Sequence, residues 1–175
     1  GLQAITSDPR VIEVAATTES GVVTDFSNPG AGLLTSTIGL NVLAPEPGLD
    51  SAYGYYIMYG TSFSAPQVSA VVALMLQVNP ALGWRDVQEI LAAASYAPPP
   101  SAAGFTTNGA GGWNGGGMHF SNDLGFGVLD ANVAVNLARA WTLQSTDANL
   151  LQATQTQAAG WSVAAGATAS SHMQV

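Results

Sequence analysis

The sequence has no cysteine, no lysine and little charge of either sign. Without cysteine the 175 residues form no disulfide bond, and the composition does not say whether the protein works in an oxidising compartment. Three arginines are set against 11 acidic residues, which gives a net charge of −8. Nucleic acids and anionic membrane surfaces bind basic patches, so neither is expected as a partner.

Long hydrophobic runs are also missing. The longest apolar run covers residues 71–76 and falls short of the roughly 18 residues that span a bilayer. No secretory signal pattern is visible. Hydrophobic residues nevertheless make up 47% of the chain, which is enough for a packed core. We therefore expect a folded domain whose partners are neither nucleic acid nor membrane.

Hydrophobic periodicity and turn residues predict an α/β domain with a mainly parallel sheet. The predicted strands or extended segments are residues 11–16, 22–26, 40–44 and 53–59. Helices are predicted over residues 64–78, from Gly83 onward and from a cap at Asp130 onward. The first helix is apolar nearly all round, which predicts burial in a large core. The apolar positions of the other two are Val87, Ile90, Leu91 and Ala94, then Val133, Ala134, Leu137, Ala138 and Trp141.

Residues 60–66, which read GTSFSAP, carry the strongest chemical signal. Ser62 lies between a glycine turn and an apolar helix, and a serine hydroxyl is a good nucleophile only where a base can reach it. The helix N-terminus offers unpaired N–H groups and a positive dipole end to negative charge forming there. Pro66 is expected in the first turn, where its missing N–H is not needed. The alternative is that Ser62 is only an N-cap.

This segment resembles the nucleophile segment of the subtilisin-like serine proteases, and its Ser-Ala-Pro ending is similar to the kexin/proprotein-convertase branch. The other matching segments are residues 11–16, 26–28, 42–45, 79–88 (NPALGWRDVQ) and 125–131 (GFGVLDA). The resemblance covers residues 9 to 141. It implies the C-terminal half of a three-layer subtilisin-like fold.

The resemblance also implies a Ser-His-Asp triad in which Ser62 is the acyl-enzyme nucleophile. In the family the aspartate, the histidine and an oxyanion-hole residue precede the serine, yet no histidine precedes Ser62 here. We therefore expect residues 1–141 to be the C-terminal part of the catalytic domain of a longer serine endopeptidase, inactive alone. A non-catalytic pseudoprotease or binding module with the same fold is the alternative from another class. A sedolisin, which pairs its serine with Glu and Asp, is a second enzymatic alternative.

Only two histidines are present, His119 and His172, and neither is expected to be the base. His119 lies in a glycine-rich stretch and is similar to a non-catalytic histidine of kexin-like sequences, whereas His172 lies in a polar tail. Asn122 and Asp123 offer too few oxygens for calcium, which takes about six to eight. No cofactor or metal is therefore predicted in this chain, and by resemblance structural calcium belongs to a parent protein.

Residues 97–124 form a long connection rich in proline, glycine and asparagine, which Trp113, Met118 and Phe120 are expected to anchor. Residues 142–175 change to a polar composition. By resemblance they are either a linker and the first strands of a β-sandwich P domain, with residues 161–163 as a strand, or a disordered tail.

By resemblance the partners are protein or peptide substrates and the location is extracellular. Kexin-type enzymes cleave after basic residues with the help of acidic groups. Gln3 stands where one such aspartate is expected, and Asp8 lies nearby, directly before Pro9. Cleavage after basic residues therefore stays open, as does the oligomeric state.

Overall fold

The structure of the chain is a computed structural model, and it describes residues 8–45, 54–109, 117–142, 150–153 and 171–174. The helices are α1 (Thr61–Val78), α2 (Trp84–Ala93) and α3 (Ala131–Ala140), with a 3₁₀ helix at Pro99–Gly104. The strands are β1 (Glu13–Thr17), β2 (Leu33–Ile38), β3 (Val42–Pro45), β4 (Tyr55–Met58), β5 (Ser95–Tyr96), β6 (Thr106–Thr107), β7 (His119–Phe120), β8 (Val128–Leu129), β9 (Leu150–Ala153) and β10 (Ser171–Gln174).

Four strands form the central sheet, in the order β1-β2-β8-β5. β1, β2 and β8 run parallel, and β5 pairs antiparallel with β8 at the edge. Side chains alternate across the sheet, because Val14 and Leu34 pack against the helices whereas Ala15 and Leu33 pack with Leu124 on the other side. The predicted α/β domain with a mainly parallel sheet is confirmed.

The three helices lie where periodicity predicts them, with one change. α2 begins after Gly83, and α3 begins after Asp130, whose Oδ1 accepts a hydrogen bond from the Val133 N–H at 3.0 Å. α1 begins at Thr61 rather than at residue 64. Pro66 is therefore the sixth helical residue and lies in the second turn, so its predicted place in the first turn is wrong.

The core lies between the helices and the sheet. Its buried apolar residues are Val68, Val71, Met75, Leu82, Val87, Ile90, Leu91, Ala94, Ala134 and Ala138. This confirms the predicted face of α2 and most of that of α3, whereas Val133 is 40% exposed.

α1 is buried on one stripe only. Leu74 and Leu76 are 48% and 39% exposed, so the expectation that α1 is buried all round is wrong for the part of the chain described here. Among the described helices, α1 alone has the length and composition to cross a membrane, a test that core helices of soluble proteins also meet.

The C-terminal ends of α1 and α3 are joined by side-chain hydrogen bonds. Asn79, directly after α1, donates from Nδ2 to the carbonyls of Ala138 and Trp141 at 2.9 and 3.1 Å. The Trp141 indole N–H donates to Asp86 Oδ1 at 3.2 Å, and Asp86 Oδ2 accepts from the Gly83 N–H at 2.7 Å. Asp86 is fully buried, so these bonds join the start of α2 to the end of α3 inside the domain.

One of the predicted strands is wrong, and another is a strand that lies outside the central sheet. Residues 22–26 contribute only an isolated bridge between Val23 and Thr17. Residues 40–44 overlap β3, which does not join the central sheet but forms a two-stranded antiparallel ribbon with β4. The sheet strand in this part of the chain is β2, which periodicity does not predict.

β2 escapes prediction because its centre is polar. It reads LLTSTI, yet Thr35, Ser36 and Thr37 are all buried. Thr35 Oγ1 and Ser36 Oγ donate to the Gly127 carbonyl at 3.2 and 2.9 Å, and Thr37 Oγ1 donates to the Ser64 carbonyl at 3.0 Å. Because each hydroxyl finds an acceptor on a neighbouring element, the cost of burying it is offset.

The long connection is anchored at its C-terminal end. The ring of Phe120 packs edge-on against that of Phe126, with centroids 5.4 Å apart, and Met118 is half-buried. Trp113 and the predicted strand at 161–163 lie outside the described residues. β9 and β10 pair antiparallel, and the assignment of residues 142–175 to a P domain stays a prediction.

Candidate active site

Ser62 is the second residue of α1 and lies beyond the carboxyl end of the parallel strand β1. Open α/β sheets bind ligands at this edge. The Gly60 N–H donates to the Gly39 carbonyl at 2.8 Å, and the Gly39 N–H donates to the Thr17 carbonyl at 2.8 Å. These two bonds tie the turn before Ser62 to the last residue of β1.

Two glycines allow the turn before Ser62 to lie close to the end of β1. Gly60 has φ = 135°, a conformation that side-chain-bearing residues rarely adopt. A Cβ on Gly39 would lie 2.6 Å from both Ala16 Cβ and Ser64 Oγ. Gly39 is a supporting residue that sequence reasoning missed, although a glycine directly after a strand is a usable signal of close backbone approach.

Ser62 and Ser64 have opposite surroundings. Ser62 is exposed, and its hydroxyl makes no hydrogen bond to any residue that the structure describes. Ser64 is fully buried and donates to the Thr37 carbonyl at 3.3 Å. The N-cap of α1 is Gly60, with no side-chain cap bond, so the interpretation of Ser62 as an N-cap is wrong. Ser64 holds the helix to the sheet, whereas the Ser62 hydroxyl has no partner among the residues that the structure describes.

The start of α1 presents hydrogen-bond donors beside this hydroxyl. Within the described residues the N–H groups of Thr61 and Ser62 have no acceptor, as expected in a first helical turn. Negative charge that forms next to Ser62 would be stabilised by these donors and by the positive end of the helix dipole.

Pro66 and Gln67 change the hydrogen bonding of the helix backbone just after Ser62. Pro66 has no N–H, so the Ser62 carbonyl lacks its usual helical donor four residues on. The Gln67 amide donates to the carbonyls of Phe63 and Ile38, both at 2.7 Å. It therefore links the first turn of α1 to the end of β2. Gln67 is a second support that the sequence signals only as a polar residue in an apolar helix.

The other candidate residues do not join Ser62. His119 lies on β7 with its ring edge-on to Phe105 at 5.2 Å, and its buried Nε2 has no hydrogen-bond partner among the described residues. The side chain of His172, on β10, is outside the described part of the structure. Asn122 and Asp123 are both exposed, and no cluster of three metal-ligating side chains occurs in the part of the chain that the structure describes.

Asp8 is bound by a neighbour. Arg10 donates to its carboxylate from the backbone N–H and from Nε, both at 2.9 Å, and from a terminal guanidinium nitrogen at 2.6 Å. These hydrogen bonds hold the pKa of the Asp8 carboxyl well below its usual range. The Asp8 charge is thus already compensated within the chain. Gln3 lies outside the described residues.

The site thus combines a mainly parallel α/β sheet with an exposed serine in the first turn of a helix at the carboxyl end of β1. Residues 4–127 match the model of the subtilase family (Peptidase_S8), which is more than half of the chain. The chain belongs to the subtilase family.

Comparison with individual proteins agrees with this assignment. The chain is 44% identical over 82 residues to a PC3-like endoprotease, variant B, of Hydra vulgaris, covering 47% of this chain and 11% of that protein. It is 35% identical over 140 residues to human proprotein convertase subtilisin/kexin type 4, covering 78% and 18%. Fervidolysin from Fervidobacterium pennivorans, described as a keratinolytic enzyme related to subtilisin, has a similar fold, with a TM-score of 0.59 and 24% identity over 77% of this chain and 20% of that one.

The comparisons also show how much of each relative's length the chain covers. It spans between a tenth and a fifth of the length of the two curated relatives. The fold confirms the three-layer subtilisin-like prediction, and the convertase relatives confirm the resemblance to the kexin branch. The subtilase match favours this family over the sedolisins.

Proposed function

We propose that Ser62 is the nucleophile of a serine endopeptidase of the subtilisin/kexin type. The observation that carries the proposal is an exposed hydroxyl, unpartnered among the described residues, in the first turn of a helix in a subtilase domain. The base and its orienting aspartate would come from a segment preceding Gly1, because no histidine precedes Ser62. The chain is then a fragment that needs this segment for activity.

In this mechanism Ser62 Oγ attacks the scissile carbonyl while a histidine takes its proton, and an acyl-enzyme forms. The Ser62 N–H would donate to the oxyanion together with a side chain from the preceding segment. One such donor stabilises the transition state by about 3–4 kcal/mol. Water then hydrolyses the acyl-enzyme and restores the hydroxyl.

The substrates would be protein or peptide segments that reach Ser62 from solvent. The name of the human proprotein convertase relative supports proproteins as a substrate class. The extracellular location is proposed from the family resemblance. Any structural calcium would be held by other parts of the parent protein.

Covalent labelling tests the role of Ser62. The full-length protein should react with a fluorophosphonate, which phosphonylates activated serines, and peptide mass mapping should place the label on Ser62. The matched control is Ser69→Ala, on the same helix and also exposed, which should label as the wild type does. A folded full-length protein that stays unlabelled would instead be a pseudoprotease or binding module.

Asp8 offers a test of specificity. Because Arg10 already binds its carboxylate, Asp8→Asn in the full-length protein should change the ratio of kcat/KM for arginine-P1 and leucine-P1 peptides by less than about twofold. Asp25→Asn, at an exposed acidic residue elsewhere in the chain, is the control. A tenfold or larger loss of the arginine preference in Asp8→Asn alone, measured with fluorogenic peptides, would make Asp8 part of the S1 pocket.

A further inference from the structure

The end of β2 offers three consecutive backbone carbonyls to the start of α1. In chain order, the carbonyls of residues 37–39 accept hydrogen bonds from the Ser64 hydroxyl at 3.3 Å, the Gln67 side-chain amide at 2.7 Å and the Gly60 N–H at 2.8 Å. We call these three hydrogen bonds the 37–39 contacts. Ser62 lies between two of the donors in the sequence, so the contacts fix the helix on both sides of it.

Gln67 does more than the other two donors. Its Nε2 also donates to the carbonyl of Phe63, the residue directly after Ser62, at 2.7 Å. A side-chain amide nitrogen carries two hydrogens, and here each has a backbone carbonyl as its acceptor. Through one half-buried nitrogen, Gln67 therefore joins the backbone beside Ser62 to the end of β2.

The residue before Gln67 explains why the first turn needs this support. Pro66 has no N–H to donate to the Ser62 carbonyl, so one of the hydrogen bonds that would hold the first turn to the second is missing. The Gln67 side chain adds a bond at the neighbouring carbonyl of Phe63. Only a donor can do this, because both of its partners are acceptors.

We propose that Gln67 is a positioning residue that sets the place of the Ser62 hydroxyl for attack. This rests on the proposed function, because the place of the hydroxyl affects a rate only if Ser62 reacts. Gln67 acts through the backbone of residues 62–63 and not by touching the substrate. The competing role is a bond between helix and sheet that adds stability alone. Since a misplacement of about 1 Å can cost about 100-fold in rate, the two roles differ in kcat.

Removal and return of the donors test this in the full-length protein. Gln67→Met keeps the length of the side chain and removes both N–H donors. For each folded molecule, kcat towards a fluorogenic peptide should fall about tenfold, with KM within about twofold. The rate of fluorophosphonate labelling at Ser62 should fall in parallel. Gln67→Lys restores donors on a side chain of similar length, and its kcat should lie within about threefold of the wild type.

Two control variants separate position from stability. Gln77→Met makes the same change at an exposed position of the same helix, and its kcat should equal that of the wild type. Val87→Ala, at a buried position of α2, should lower the urea midpoint without removing any of the 37–39 contacts. Its folded molecules should turn over as the wild type does. If Gln67→Met does not fold, Gln67→Asn replaces it, because that side chain is one methylene shorter.

Hydrogen exchange gives a readout that does not depend on the chemistry. In Gln67→Met the backbone amides of residues 63–65 should exchange several-fold faster than in the wild type, whereas those of α3 should not change. A wild-type protein that fails to label at Ser62 would remove the proposed function and leave this measurement intact.

Three results would overturn the positioning role. The first is a wild-type kcat and labelling rate in Gln67→Met. The second is an equal loss of kcat in Gln67→Met and Gln67→Lys, which would make the shape of the side chain, and not its donors, the cause. The third is a raised KM with an unchanged kcat, which would place the effect on substrate binding.

Discussion

Ser62→Ala in the full-length protein should lower kcat towards a peptide substrate by about 10⁴-fold or more, because the attacking oxygen is removed while the oxyanion donors remain. Stability should hardly change, since Ser62 is exposed and its hydroxyl bonds to no described residue. A continuous fluorogenic assay measures the first effect, and urea unfolding followed by circular dichroism measures the second.

Variants of two neighbouring serines on α1 distinguish a loss of catalysis from a loss of stability. Ser69→Ala removes an exposed hydroxyl that donates to the Ala65 carbonyl at 3.2 Å, and kcat should stay within about twofold of the wild type. Ser64→Ala leaves the buried Thr37 carbonyl without its side-chain donor and should cost about 1–3 kcal/mol of unfolding free energy. Near-normal turnover by Ser62→Ala would remove Ser62 from the mechanism.

Gly127→Ala should destabilise the domain strongly. Gly127 has φ = 115°, and a Cβ there would overlap the Tyr96 carbonyl across the sheet edge. The Gly127 carbonyl also accepts from the Ser36 N–H at 2.8 Å, so a shift of this backbone would disturb β2. We expect a loss of about 3 kcal/mol or more in the free energy of unfolding, measured by urea titration.

Substitutions at two other glycines separate the conformational cost of a positive φ from the steric clash with Tyr96. Gly54 has φ = 66°, and a Cβ added there would meet no heavy atom within 4 Å, so Gly54→Ala should show only the conformational cost of about 1 kcal/mol. Gly109→Ala has neither a positive φ nor a close neighbour and should be nearly neutral. If Gly127→Ala were no worse than Gly54→Ala, the close contact with Tyr96 would not limit stability.

Local signals predicted the helices well and the sheet only in part. The apolar spacing of α2 and the Asp130 cap are encoded within a few residues, so periodicity finds them. β2 depends on acceptors from distant parts of the chain, such as Gly127 and Ser64, and no local pattern shows that its hydroxyls will be paired. β3 is apolar enough to resemble a core strand, but its partner β4 places it in the ribbon.

The candidate site likewise has one part that local sequence predicts and another part that depends on long-range contacts. Ser62 is predictable because its glycine, its serine and its helix are adjacent in the sequence. Its supports at Gly39 and Gln67 are known only once β1, β2 and α1 are assembled, since the hydrogen bonds that tie them to other elements join residues at least 21 positions apart in the chain. The exposed stripe of α1 could not be predicted either, because apolar composition does not say which surfaces find a neighbour.

Hydrogen bonds at the C-terminal end of α1 fix the end of the helix that is opposite to Ser62. With 18 residues the helix is about 27 Å long, and Asn79 clamps one end to α3 while Ser62 occupies the other. A tilt of about 2° at the clamp would displace Ser62 by about 1 Å, a misplacement that can cost an enzyme about 100-fold in rate. The position of the Ser62 hydroxyl is therefore set at both ends of α1, by Ser64 and Gln67 near it and by Asn79 at the opposite end.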